Sequence, residues 1–132
     1  MRTFNASVLL VLLVAQSAPT QAADLNGAWT IDASACDQMF TKENNKLAFK
    51  QDADLHAGGV IVQGKQITGT FQKCTVKSLH DDGANVQVTA SCSDGLAVSD
   101  VTFDVKITGE NEFTLSSKAP VPVEMHYVRC SL

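Results

Sequence analysis

Four cysteines and three histidines carry most of the chemistry open to this chain. Cys36, Cys74, Cys92 and Cys130 are spaced too widely for a metal knot: no CxxC pair occurs, and the nearest two stand about eighteen residues apart. An even count in a small chain reads instead as two disulfides, which leaves no thiol for a cysteine nucleophile. His56 lies in QDADLHAGG beside Asp52 and Asp54, and His80 abuts Asp81-Asp82. Either group has the donors for an exposed metal site or an acid–base pair. Both are also what solvated loops of an acidic protein contain, and no His-x-x-x-His, His-Glu-x-x-His or facial-triad spacing supports them. A serine elbow of Gly-x-Ser-x-Gly form is absent, as are a phosphate-cradling glycine loop and a dinucleotide fingerprint. The residues therefore assign no catalytic group, metal ligand or cofactor; the expectation is a protein that binds and does not catalyse, with a small hydrolase the remote alternative should a His and a carboxylate converge in a cleft.

The elements that position these residues are strands. Residues 73–95, KCTVKSLHDDGANVQVTASCSDG, read as two strands about an Asp81-Asp82-Gly83 turn, with a cysteine at each outer end. Placing Cys74 opposite Cys92 pairs Val76 with Ala90 and His80 with Val86, and leaves residues 81–85 as the loop. Of the three pairings that four cysteines allow, this hairpin favours Cys74–Cys92, with Cys36–Cys130 left to tie the two ends. Cys74 is out of phase with Ile67 and Phe71 if all three share a strand, so a bulge near Gln72-Lys73 is expected.

Elsewhere the period is also two. Leu25 to Ile31 opens the domain as a strand with Trp29 and Ile31 on one face. Ser34, with Asp37 three residues on, has N-cap spacing for a short helix or turn bearing Ala35, Met39 and Phe40; Asn44-Asn45 stops anything longer. Residues 46–50 alternate with Leu47 and Phe49 inward, and residues 51–59 form a loop. Residues 60–63 and 66–71 make a hairpin over Gly64-Lys65. Val86, Val88, Ala90 and Cys92 share one face, as do Val101, Phe103, Val105 and Ile107. Phe113 and Leu115 follow a Gly109-Glu110-Asn111 turn, and Val123, Met125 and Tyr127 line the last strand. About eight short strands with turns every eight to twelve residues predict an all-β antiparallel meander, a small barrel or alternatively a sandwich.

The N-terminus reads as a cleaved secretory signal over residues 1–22. Arg2 precedes the apolar run ASVLLVLLVA, and a small-residue exit ends at Ala22-Ala23, whereas a membrane span needs roughly 20 apolar residues. The mature domain, residues 23–132, is about 110 residues long and is one unit. Without Arg2, nine basic side chains face fourteen acidic ones, which argues against nucleic acid or an anionic membrane as partner. Signal and cysteines together place the protein in the periplasm or outside the cell.

Gly27-Ala28-Trp29 resembles the Gly-x-Trp that opens the first strand of lipocalins and related calycin barrels. The resemblance implies that Trp29 packs under Arg129, the arginine near the last strand. In size and export the chain is also similar to small periplasmic protease-inhibitor barrels of Gram-negative bacteria. Those reach the protease with a segment ahead of the barrel, for which little chain is left before Leu25. The layout is similar too to small exported proteins of alphaproteobacteria, which implies no function. Two binding roles follow. An inhibitor of a protease or other hydrolase would use the proline-stiffened loop Lys118, Ala119, Pro120, Val121 and Pro122, whose preset shape loses little entropy on binding. A carrier of a small apolar ligand would need a cavity lined by Ile67, Phe71, Val88, Phe103 and Tyr127.

Overall fold

Among the described residues ten strands form, in chain order: β1 (Gly27–Thr30), β2 (Phe40–Glu43), β3 (Lys46–Phe49), β4 (Val60–Gln63), β5 (Gln66–Gly69), β6 (Lys73–Asp82), β7 (Asn85–Ser93), β8 (Val98–Gly109), β9 (Glu112–Ser117) and β10 (Val123–Arg129). A computed structural model describes residues 24–56, 58–118 and 122–132. The expected signal at residues 1–22 lies outside the described residues, as do Ala119, Pro120 and Val121. Eight strands close an antiparallel barrel in the order β1-β10-β9-β8-β7-β6-β5-β4. Closure runs through β1, where Trp29 stands opposite Val60 on one side and Arg129 on the other.

The alternation expected for β7, β8 and β10 sets their inner faces, with Val86, Val88, Val105 and Tyr127 buried. The long hairpin pairs Cys74 with Cys92 and Val76 with Ala90, as the residue pattern anticipates. Beyond that point the register shifts. The bulge falls between Val76 and Ser78, so His80 faces Gln87 and Asp82 faces Asn85. The connection is therefore the two-residue turn Gly83-Ala84, with Gly83 at φ +70°, and not a loop over residues 81–85. No bulge is needed at Gln72-Lys73, because β5 ends at Gly69, whose amide donates to Gln72 O at 2.7 Å. Ile67 then pairs with Cys74 across a hairpin, which puts both on the inner face. Phe71 lies in the turn and is 73% exposed, against the inward position expected of it.

The described residues between 31 and 59 form a second, smaller core on the outside of the barrel. The outward residues Ala28, Ile61 and Cys130 pack with Ala35, Met39, Phe40 and Ala53, with Leu47 and Phe49 at the margin. Asp32, and not Ser34, caps the first helical turn, accepting from Ser34 N at 2.9 Å. A short helix α1 (Cys36–Met39) follows and runs directly into β2. Asn44 and Asn45, expected only to stop a helix, form the β2–β3 turn at φ 51° and 63°, the left-handed pair that tight hairpins require. Ile31 leaves the end of β1 and is exposed rather than inward. Gly59 is buried where an added Cβ would lie 2.2 Å from Met39 Cε and 3.1 Å from the Phe49 ring, so a side chain here would make the Met39 end group move. The disulfide Cys36–Cys130 joins this outer layer to the end of β10, and Cys74–Cys92 crosses the inner face of the β6–β7 hairpin.

Candidate functional site

An eight-stranded barrel is just wide enough for its own side chains to fill, or for one small ligand. Which outcome holds depends on the size of the inward residues, and here many are small. Val60, Val62, Val76, Val86, Val88 and Val105 all face inward, and a cavity of about 400 Å³ remains among them. That volume falls in the range of about 300–1,000 Å³ usual for small-molecule sites. Larger apolar groups complete the wall: Ile67, Phe103, Leu115 and Met125 along the sides, with Phe113 and Tyr127 from β9 and β10.

Four of the five residues expected to line a carrier's cavity, Ile67, Val88, Phe103 and Tyr127, do so, while Phe71 does not. Phe113, Leu115 and Met125 belong to the wall as well. Their alternation along β9 and β10 carried that signal, since inward phase is shared by every second residue.

A strap formed by Asp24, Leu25 and Asn26 crosses one end. Trp29 Nε1 donates to Leu25 O at 2.9 Å. Arg129 lies over the Trp29 ring, with its Cζ 4.2 Å from the centroid, and donates to Asp24 O at 2.8 Å and to Asn26 O. Asn26 Oδ1 in turn accepts from Gly64 N at 2.7 Å. Gly27 is held at φ +140°, where an added Cβ would lie 3.0 Å from Arg129 Nη1. Gly27, Trp29 and Arg129 thus form one contact set that fixes the strap, and Leu25 packs against the interior cluster.

The mouth lies at this end. The β4–β5 hairpin stops at Lys65, whose carbonyl accepts from Val76 N at 2.8 Å, and β6 runs on past it. Leu79 lines the cavity there yet is 55% exposed. The polar rim at the mouth is Asp24, Asn26 and Asp81. The two Asn26 amides, backbone first and side chain second, and then the Arg129 guanidinium hold the Asp24 carboxyl below its ordinary range. Burial alone pushes the Tyr127 phenol above its ordinary value, so it stays neutral.

The residues considered for chemistry are dispersed. His80, with Asp82, Asp104 and Lys106, borders a depression of about 280 Å³ on the outer face of β6–β8. His126 Nε2 stands 3.8 Å from Glu112, both half-exposed on the barrel exterior. His56 follows the 3₁₀ turn Ala53–Leu55 at the outer layer. Among the described residues no group of three or more His, Cys, Asp or Glu is placed to hold a metal ion. At the end opposite the mouth, the β5–β6 and β7–β8 turns present exposed Phe71 and Leu96, and the first residue of β8, Val98, is exposed there too. Lys118 and Pro122, the described flanks of the proline loop, are exposed at that end too.

Compared with known protein families, curated proteins and solved structures, the chain matches none.

Proposed function

We propose that this calycin-like barrel is exported to the periplasm or beyond the cell and acts there as a non-enzymatic carrier of one small apolar ligand. The supporting observation is the valine-lined cavity of about 400 Å³ with Leu79, an exposed apolar residue, at its mouth. Well-packed interiors keep few voids larger than a water molecule, so an apolar space this size lowers its free energy by taking up an apolar molecule. Titration with diphenylhexatriene, a hydrocarbon that fluoresces in apolar surroundings, should give a saturable signal at one probe per chain. Val88→Trp, which fills the space, should weaken that binding about tenfold or more. A folded protein giving no saturable signal contradicts the reading.

A second reading, inhibition of a protease or other hydrolase, is favoured by exposed Phe71, Leu96 and Val98 at the far end, where the described residues Lys118 and Pro122 are exposed as well. It requires that changing Leu96 and Val98 to Asp, or altering residues 118–122, abolish inhibition while diphenylhexatriene binding persists.

A further inference from the structure

We propose that the cavity selects a neutral apolar molecule bearing one hydroxyl or carbonyl oxygen, held by Tyr127 Oη, and rejects carboxylates. This rests on the carrier reading and adds the chemical class of the ligand.

Tyr127 lines the cavity and is 4% exposed. Its ring stacks on Phe113 at 5.0 Å between centroids. Among the described residues its hydroxyl meets only the Met125 thioether, with Oη 3.9 Å from Sδ, and a thioether is a weak acceptor. A buried O–H with so poor a partner gains from a ligand oxygen far more than an exposed one would. The neutral phenol keeps its proton and so remains a donor.

The charge around the cavity is of one sign. None of the described lining residues is Lys, Arg or His, whereas Asp24 and Asp81 stand at the mouth. Arg129 is taken up by the Trp29 face and by the carbonyls of Asp24 and Asn26. Asn26 is occupied on both sides, donating to Asp24 Oδ1 at 2.8 Å and accepting from Gly64 N. Lys65 sits in the β4–β5 turn outside the lining, and Lys77 pairs with Asp100 at 2.8 Å on the exterior. Gln72, at the far end, is neutral. An anionic headgroup would lose water without gaining a counter-charge, the costly case for burial of an ion.

The test displaces diphenylhexatriene from the wild-type protein with three ligands of equal chain length: decanol, decanoate and decylamine. Decanol should bind about tenfold or more tightly than decanoate, as an uncompensated buried charge requires. Tyr127→Phe should weaken decanol about threefold to tenfold, the loss of one neutral hydrogen bond, while binding of the hydrocarbon probe is retained. Asp81→Asn, an exposed change that leaves folding intact, should narrow the gap between decanoate and decanol. Equal affinities for decanol and decanoate overturn the inference. So do a Tyr127→Phe variant that binds decanol like wild type, and decylamine binding tighter than decanol. In each of these cases probe binding survives, and the carrier reading with it. Failure of the probe itself to bind overturns both.

Discussion

Trp29→Ala should lower the free energy of unfolding by about 3–5 kcal/mol, the range for truncating a large buried aromatic side chain. Trp29 is 1% exposed and packs edge-on to Phe113 at 4.7 Å between centroids. It also supports Arg129 on its face and the strap through Leu25 O. Removing the ring enlarges the interior void, and it leaves Leu25 without its anchor and Arg129 without its platform. A domain of this size has only about 5–15 kcal/mol of stability to lose. Trp29 is the one tryptophan of the chain, so the variant should be followed by circular dichroism through a urea titration. A loss below about 1 kcal/mol, typical of an average site, would mean that the ring does not organise this end of the barrel.

Removing Cys36–Cys130 by Cys36→Ala with Cys130→Ala should cost about 4 kcal/mol. The bridge spans 94 residues, and on the chain-entropy account the loop it closes is nearly the whole domain, close to the upper end of the about 2–4 kcal/mol typical of a disulfide. It also clamps the outer layer to the barrel, since Cys36 begins α1 and Cys130 packs with Met39, Phe40 and Ile61. Loss of the bridge should therefore raise hydrogen exchange first in residues 31–59, before the β6–β8 amides open. Uniform exchange throughout would contradict the two-core arrangement.

The parts of the fold readable from residue order are those where periodicity and turn chemistry act locally. Val86, Val88, Ala90 and Cys92 announce an inner face by themselves, and Gly64-Lys65 announces a tight turn. The errors lie where one residue's difference decides the outcome. Lys77 is the extra residue of a bulge, which no propensity marks, and it turns an expected five-residue loop into a two-residue turn. Phe71 keeps the inward phase of Ile67 only if the strand continues, and the Gly69–Gln72 hydrogen bond ends it. Asn44-Asn45 fits both a helix stop and a left-handed hairpin turn. The second reading prevails because Phe40 and Phe49, opposite each other in β2 and β3 with rings 5.2 Å apart, bury against the outer core.

For the cavity, phase identifies which side chains face inward but not whether they meet. The space follows from summed volume, six valines among the inward positions, and that becomes visible only once the strand order is known. The Gly-x-Trp resemblance carried the stacking of Arg129 on Trp29, but the strap's hydrogen bonds and the acidic mouth had no signal in the residue pattern. The strap depends on Arg129 reaching back across 105 residues to Asp24.

Methyl NMR of the protein titrated with diphenylhexatriene reports most directly on a ligand site inside the barrel. Shifts should be confined to the interior methyls, those of Val62, Val88, Val105 and Leu115, with Ile61 and Leu47 of the outer core unmoved. Shifts at Leu96 and Val98, with the interior methyls silent, would contradict it.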